Sequence, residues 1–491
     1  MILPYFIIIP LLAAFLITLI AGEKDHWGIA FSLITGIVLT VLAFYSFLVF
    51  RSETLVYQMG GWKLPYGIVL VQDALTGYML VIVNLIALTS LLFSVNYIRY
   101  LDPDWKYYAL FMLLLAGMNG VILTGDLFNL FVFMEIALLA AFALVAYGGR
   151  AEEYEAAFKY AVMGAVSSTI ILVGITVTYS STSALTMAAV ADALSQGDPK
   201  IVHWIGGLFL VGFGLKAAAM PFHAWLPDAH SSAPAPISSM LSGVLIKVLG
   251  IYVIMRLFFN VLGAPDVFIR IFLVLSAISI LVAGFISVNQ WDMKRLLAYS
   301  SISQIGYILL GLGIATPLGI LGAVFHLLNH AIFKSLLFFN AGTVEMMLGT
   351  RDLKKMGNLT RALPLTSNTS LIASLAISGI PPFNGFFSKL IIIIAAIQAG
   401  YPLYAIFAIV GSVLTMAALM KVQRYGFRGE NEVDIGDKKV NWKMNTAMAT
   451  LAVLCLVASV LIIPGIKEAA FDPVISVITE KTQYIQAVMG R

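Results

Sequence analysis

The chain has 491 residues, of which 60% are hydrophobic and 11% charged, and its formal net charge is only +4. Soluble domains carry about 25% charged residues, so a chain this apolar cannot cover its surface in water and is expected to lie in a membrane. The small charge gives no indication of a nucleic-acid partner. The single cysteine, Cys455, excludes a disulfide framework, a CxxC iron–sulfur site and a thiolate zinc site within the chain.

Apolar runs of about 20 residues predict fourteen membrane spans. They lie at residues 2–22, 27–50, 74–98, 107–124, 127–148, 157–180, 201–221, 234–259, 267–288, 295–313, 317–343, 365–399, 402–421 and 445–466. The first run has no basic residue before it and is about long enough to span, so it is predicted to be a membrane helix rather than a cleaved signal peptide.

Three further segments are predicted to lie outside the hydrocarbon region. Residues 51–73, with Gly60-Gly61 and a later β-branched run, predict a hairpin. Residues 184–196 predict a short interfacial helix, and the tail from Lys467 is too polar to cross.

The distribution of basic residues predicts the orientation in the membrane. The odd-numbered loops hold 17 Lys and Arg, whereas the even-numbered loops and both termini hold 8. The positive-inside rule therefore predicts a multi-pass protein of the cell membrane with both termini outside the cytoplasm.

Two predicted spans contain internal helix breakers. The seventh ends in Ala217-Ala218-Ala219-Met220-Pro221, and the twelfth contains Gly379-Ile380-Pro381-Pro382. Interrupted helices at matching positions of two halves are typical of inverted-repeat transporters. We therefore predict an all-α integral membrane fold with two inverted five-helix repeats, spans 4–8 and 9–13. The predicted divisions are residues 1–106 with the hairpin, 107–260, 261–425, and 426–491 with the last span and the polar tail.

Charged side chains in the middle of the spans carry the functional prediction. Lys216, Lys247, Lys334 and Lys389 lie far from either end of their apolar runs, as does Glu135. Placing four lysines there costs roughly 10–14 kcal/mol, so a functional reason for them is expected. A purely structural role, with each lysine pinning two helices together, is the alternative for any single residue.

The eleventh span carries a polar stripe. His326, His330 and Lys334 recur every four residues, which puts them on one helix face. Histidine titrates near neutral pH and a desolvated lysine favours its neutral form, so such groups can pass protons. Two histidines at this spacing also suit zinc, but no third ligand is evident, and no facing histidine suits haem.

Glu135 is the only acid well inside a span, and Lys216 is its natural partner. A carboxylate that binds or releases a neighbouring lysine would act as a switch, and a static buried ion pair is the alternative. Asp126 lies near a span end, while His223 and His230 flank a proline-rich turn. These three, with His326, are predicted as entry or relay groups.

Five motifs together resemble the antiporter-like subunits shared by respiratory complex I, Mrp cation/proton antiporters and membrane-bound hydrogenases. The motifs are Gly125-Asp126-Leu127-Phe128-Asn129 running to Glu135, Pro221-Phe222-His223-Ala224-Trp225-Leu226-Pro227-Asp228-Ala229-His230, and the stretches 294–306, 326–342 and 378–386. The likeness runs from about residue 70 to 425. It implies fourteen helices with broken helices 7 and 12. It also implies a Glu135–Lys216 pair, from which a line of polar groups continues through Lys247, His330 and Lys334 to Lys389.

The resemblance leaves two functions open. The first, favoured by the region 222–232, is a proton-translocating subunit of a redox complex such as a membrane-bound hydrogenase or a complex I relative. The second is the D-type subunit of an Mrp Na⁺/H⁺ antiporter without redox activity. Both predict other membrane subunits as partners. Neither predicts a cofactor in this chain, and iron–sulfur or nickel–iron centres would lie in partner subunits. Four ammonium groups repel Na⁺, so sodium is expected to pass through a partner. A structural scaffold is the third reading.

Overall fold

The computed structural model describes residues 2–20, 25–62, 64, 67–101, 104–431, 435–436 and 438–490. The described chain consists of helices and one two-stranded sheet. The elements in order are α1 Tyr5–Ile20, α2 Asp25–Phe50, β1 Leu55–Gln58, β2 Val69–Gln72, α3 Ala74–Leu101, α4 Trp105–Leu123, α5 Leu127–Val145, α6 Ala151–Thr182, α7 Met187–Ser195, α8 Pro199–Ala217, α9 Trp225–Ser232, α10 Ala235–Met240, α11 Asp266–Asn289, α12 Met293–Ile314, α13 Pro317–Leu348, α14 Leu359–Ala362, α15 Pro364–Ser378, α16 Asn384–Gln398, α17 Pro402–Lys421, α18 Trp442–Val457, α19 Ile466–Thr479 and α20 Lys481–Met489.

Twelve of the described helices are long and apolar enough to cross a membrane. Two shorter apolar helices, α1 and α16, lie at the first predicted span and in the second half of the twelfth. The helices therefore match the predicted spans in position. The predicted end of the first span at residue 22 lies outside the described residues. The count of fourteen, the inverted repeats and the four divisions of the chain stay predictions.

Both predicted breaks are present. Helix α8 ends at Ala217 because Ala218 adopts a left-handed conformation with φ 53°, and a cis Met220–Pro221 bond follows. Helix α15 ends at Ser378, where Gly379 has φ 79°. A left-handed residue cannot continue a right-handed helix, so each break leaves carbonyl groups at the helix end without helical partners.

The eighth predicted span is not a uniform α-helix. After α10 the chain continues in π-helical segments at Leu241–Leu245, Lys247–Tyr252 and Met255–Val261. This continuous helix and α13 are buried along their whole apolar length, whereas α2 and α17 expose apolar side chains on one side. The centre of the molecule is thus formed by the helices that carry Lys247 and Lys334. The outer helices present an apolar surface suited to lipid.

The predicted hairpin and the predicted short helix are both present among the described residues, and residues 63, 65 and 66 of the hairpin lie outside them. Strands β1 and β2 pair antiparallel with Leu55 opposite Gln72, and α7 lies within the predicted interfacial segment. The polar tail forms α19 and α20, which pack against α3 and the segment Met255–Val261 through buried Phe471 and Tyr484.

Candidate functional site

The four lysines predicted in the membrane interior are all enclosed by the protein. Their exposed fractions are between 0 and 4%, for Lys216, Lys247, Lys334 and Lys389. No ion pair within 4 Å involves any of the four in the described part of the chain. Each ammonium group is bonded to backbone carbonyl or hydroxyl oxygens instead.

Helices α5, α6 and α8 bring Glu135 and Lys216 together through a serine. Lys216 Nζ donates to the Gly164 carbonyl at 2.9 Å and to Ser168 Oγ at 3.0 Å. The Ser168 hydroxyl in turn donates to Glu135 Oε1. The predicted partnership of Glu135 and Lys216 is therefore present as a bridged contact rather than a direct pair. Sequence reasoning missed Ser168, because serine is common in membrane helices and only the packing of α6 selects this one.

A small cavity lies beside Lys216. Its volume is about 10 Å³, and Tyr160, Ser167 and Trp225 are among its lining residues. That is about the space one water occupies, and Lys216 supplies a polar partner for it. The lysine is therefore enclosed on most sides but lies next to a space about large enough for one water.

Lys247 begins the second π-helical segment, and its Nζ donates to the Ser242 carbonyl five residues earlier. Ser242 lies in the first π-helical segment, and its hydroxyl is 2.8 Å from Ser301 Oγ on α12. This contact joins the π-helical region to the second half of the chain. π-helical turns frequently occur at functional sites. Here the π-helical turn lies at the lysine in the centre of the molecule.

The stripe on α13 is buried as predicted, and its three groups face different partners. His326 Nδ1 lies 3.0 Å from Ser388 Oγ, and the His326 and His330 rings are 6.3 Å apart. Lys334 Nζ donates to the Leu297 carbonyl at 2.8 Å and to the Ser300 hydroxyl. Both ring nitrogens of the buried His330 are without a hydrogen bond to the described residues.

Lys389 lies just beyond the break in the twelfth predicted span. Its Nζ donates at 2.8 Å to the Ile377 carbonyl, one of the groups that the break releases from the helix. The same Nζ lies 4.5 Å from the centre of the Tyr307 ring, and the Tyr307 hydroxyl is 3.0 Å from Ser412 Oγ. Lys389 also lines a mainly apolar cleft of about 240 Å³ between α16 and α17. This lysine thus lies beside an open cleft.

The four predicted entry or relay groups divide into two pairs. His326 and His230 both belong to the buried line. His230 is fully buried near Trp225 and Phe338. It interacts electrostatically with Lys247 and Lys334. The structure does not bring the other two to this line. Asp126 caps α5 by accepting from the Asn129 N–H at 2.8 Å. His223 is half-buried at the turn after α8, where burial lowers its pKa against the opposing effect of the Pro221 carbonyl.

A polar vestibule lies near His230, and sequence reasoning did not find it. Its volume is about 250 Å³, and its lining includes Lys159, Asp228, Arg295 and Arg351. Asp228 accepts from Lys159 at 3.0 Å and from Arg295 at 2.6 Å. Burial raises the pKa of Asp228, but these two partners outweigh it and hold the pKa below its usual value. Since the residues come from α6, α9 and α12, the ion pairs join the two halves of the chain.

Two further buried charges are paired. Lys294 Nζ lies 2.6 Å from Glu345 Oε2 at the vestibule side. At the hairpin side, Asp73 accepts two 2.7 Å bonds from Arg256, whose guanidinium lies 5.2 Å from the Tyr484 ring. Asp73 and Arg256 are 183 residues apart, so only the fold shows that they meet.

No cluster of three or more His, Cys, Asp or Glu side chains in the described ranges is placed to hold a metal ion.

Comparisons with known proteins place this arrangement in one family. A family model described as NADH:quinone oxidoreductase/Mrp antiporter, transmembrane, matches residues 124–415. The D-type subunit of a Na⁺/H⁺ antiporter from Alkalihalophilus pseudofirmus is 35% identical over 446 residues, 90% of each chain. A chain of the Mrp complex from Dietzia sp. superposes with a TM-score of 0.92, 27% identity and 99% coverage of both chains. A chain of an archaeal membrane-bound sulfane sulfur reductase superposes with a TM-score of 0.90, 31% identity and 99% coverage of both chains.

The matched range contains all six residues of the predicted proton line. It runs from Thr124, before the helix of Glu135, to Thr415, beyond Lys389. Both solved relatives are chains of multisubunit membrane complexes. This chain therefore belongs to the NADH:quinone oxidoreductase/Mrp antiporter transmembrane family, as an antiporter-like subunit of a multisubunit membrane complex.

Proposed function

We propose that this chain moves protons across the membrane along its buried polar groups. The groups are Glu135, Lys216, Lys247, His330, Lys334 and Lys389. One observation carries the proposal: each of the four ammonium groups in this line is held by carbonyl or hydroxyl oxygens and not directly by a carboxylate. A lysine held in this way can lose its proton without leaving an unpaired carboxylate in the interior, whose desolvation would be costly.

In the first half, Ser168 links the carboxylate to the amine. When Glu135 is ionised it favours a charged Lys216, because opposite charges attract strongly where water is scarce. Movement of Glu135 away from Ser168 would remove that support and favour release of the lysine proton. The bridged contact supports a switch more than a static pair, since breaking it separates no directly bonded charges.

The remaining groups offer a route from the vestibule to the apolar surface. His230 is flanked in sequence by Asp228 and Ser231 of the vestibule and interacts electrostatically with Lys247 and Lys334, so it takes the role of an entry group. His326 and His330 connect Lys334 toward Lys389, which lies beside the open cleft. The four ammonium groups repel Na⁺, so we assign sodium movement to a partner subunit.

For the assembly, we propose an Mrp-type Na⁺/H⁺ antiporter, in which this chain is the D-type subunit. The 35% identity over 446 residues with a relative described as the D-type subunit of a Na⁺/H⁺ antiporter supports this reading. A relative described as subunit N of an NADH-quinone oxidoreductase, from Desulforudis audaxviator, is also 35% identical, over 413 residues, and supports the redox-linked reading that region 222–232 favours. The redox-linked complex is the second candidate, supported by 31% identity with a chain of the sulfane sulfur reductase. Iron–sulfur and catalytic subunits in the purified native complex would identify the second, and small membrane subunits alone the first.

The proton route is tested with two lysines of one helix. In the complete complex reconstituted into vesicles, Lys216→Ala should slow ion-gradient-driven acidification by at least about 100-fold, the lower range for loss of a positioned proton donor. Lys200→Ala removes an exposed lysine at the start of the same helix and should leave the rate unchanged. Equal rates for the two variants, with equal assembly, would exclude Lys216 from the route.

A further inference from the structure

Another large cavity lies away from the lysine–histidine line. Its volume is about 450 Å³, and Trp291, Lys354, Tyr425 and Arg428 are among its lining residues. Three chain segments form its wall: the connection before α12, the turn after α13 and the end of α17. We call this cavity the Trp291 pocket.

The walls of the Trp291 pocket are tied together by the backbone. Leu353 N–H donates to the Trp291 carbonyl at 3.0 Å, and Asn358 N–H donates to the Gly429 carbonyl at 2.8 Å. The Asn431 side chain adds a 3.0 Å bond to the Met356 carbonyl. The three segments are therefore fixed relative to one another, and the pocket is a built feature of the fold.

The charge of the Trp291 pocket is predominantly positive. Lys354, Arg424 and Arg428 line it, and Glu430 is the one acidic side chain among its described lining. Lys354 Nζ and Lys421 Nζ lie 4.8 and 4.4 Å from the centre of the Trp291 ring, so two like charges are held on one indole. None of these four cations forms an ion pair within 4 Å in the described ranges.

The vestibule provides a contrast within the same molecule. There Lys159, Arg295 and Arg351 each lie within 3.1 Å of a carboxylate oxygen, so the vestibule neutralises its own cations. Within the described ranges, the cations that line the Trp291 pocket have no such carboxylate partner, so an external anion can bind there. Arginine and lysine with free N–H groups bind phosphate oxygens well, and the arginine fork can do so with two bonds.

The position of the pocket indicates the source of the phosphate. Exposed side chains on α17 run through Ile409, Val413 and Met416. Just beyond the end of α17, in the π-helical segment Val422–Phe427, the exposed side chains are Arg424 and Tyr425. This change from an apolar face to cations and aromatic rings is typical of the level of lipid headgroups. A molecule with a phosphate in the pocket would have space for acyl chains along α17. The loops that form the pocket are also among those predicted to face the cytoplasm, where anionic lipid is found.

We propose that the Trp291 pocket binds the phosphodiester headgroup of an anionic phospholipid, with Lys354, Arg424 and Arg428 holding the phosphate. This inference does not depend on the proton route, since none of the pocket residues belongs to it. The bound lipid would fasten the end of α17 to the turn after α13, at the outer edge of the second half of the chain.

The test uses the purified complex in detergent, depleted of lipid and titrated with phosphatidylglycerol, phosphatidylcholine or inorganic phosphate. Native mass spectrometry counts the bound lipid. The double variant Lys354→Gln/Arg428→Gln should bind phosphatidylglycerol roughly 30-fold more weakly at this site than wild type, from two lost basic contacts. The matched control Lys355→Gln/Arg361→Gln removes the same charge from exposed neighbouring positions that do not line the pocket and should bind as wild type does.

The single variant Arg428→Gln, at an exposed position, covers the case in which the double variant does not assemble, and a roughly fivefold loss is expected for it. Binding in wild type should also weaken as salt is raised. Three results would overturn the proposal. The first is an equal loss of phosphatidylglycerol binding in the pocket and control variants, and the second is an equal affinity of wild type for phosphatidylcholine and phosphatidylglycerol. The third is a rise in the melting temperature of the complex with inorganic phosphate alone that equals the rise with phosphatidylglycerol.

Discussion

Replacing Ser168 by alanine tests the link between Glu135 and Lys216 most directly. The substitution removes the hydroxyl that accepts from Lys216 at 3.0 Å and donates to Glu135, and leaves the lysine with the Gly164 carbonyl. A hydrogen bond to a charged group contributes about 1.5–3 kcal/mol. If the bridge acts in the proton-transfer step, losing one such bond slows transport roughly 10- to 150-fold.

The assay is acidification of vesicles that contain the complete complex, driven by an ion gradient and followed with a pH-sensitive dye. Ser168→Thr keeps the hydroxyl and should restore most of the rate. Thr178→Ala is the matched control, because Thr178 is buried on the same helix, does not line the cavity beside Lys216, and loses only a 2.8 Å bond to the Gly174 carbonyl. If Ser168→Ala transports as fast as Thr178→Ala, the serine bridge has no part in coupling the two charges.

Two further substitutions test the paired charges. Asp73→Asn leaves the buried Arg256 without a counterion and should cost about 3–5 kcal/mol of stability. It should lower the melting temperature of the complex and speed hydrogen exchange in α19 and α20, whereas the exposed Asp266→Asn should change neither. Asp228→Asn should lower the melting temperature at pH 7. The pKa of Asp228 is held low, so its contribution to stability is fully present above the ordinary carboxyl pKa and is lost as pH falls through the lowered value. The difference in melting temperature between Asp228→Asn and wild type should therefore close below about pH 4. A gap that widens on acidification would contradict this.

The sequence was sufficient wherever the information is local. Apolar run length located the helices, as in α13, which begins at the predicted Pro317, because hydrocarbon thickness fixes that length. Glycine and proline located both breaks, and four-residue spacing put His326, His330 and Lys334 on one buried face. These predictions depend on backbone chemistry and helix geometry, which do not require knowledge of the packing.

Partners across helices could not be predicted in the same way. The sequence indicates that Glu135 and Lys216 are partners, but it does not indicate that Ser168 from a third helix lies between them. Lys294, which the sequence places at the start of a span, is buried against Glu345. In each case the partner depends on how two helices rotate against each other, and the polarity of single residues does not specify that rotation.

The buried charges of this chain differ in a way that indicates which of them can carry protons. Arg256 donates two bonds to one carboxylate, and a guanidinium does not release its proton in proteins, so this pair can only be structural. Lys216 and Lys334 have neutral oxygen partners, and an amine can become neutral when buried. At both sites the titrating group and its partner point to the same role: a fixed charge for Arg256 and a releasable proton for the two lysines. We therefore expect Lys334→Arg to assemble but not to transport, because it keeps the charge and removes the ability to lose it. Transport by this variant at the wild-type rate would show that Lys334 supplies a fixed charge and that the proton travels by another route.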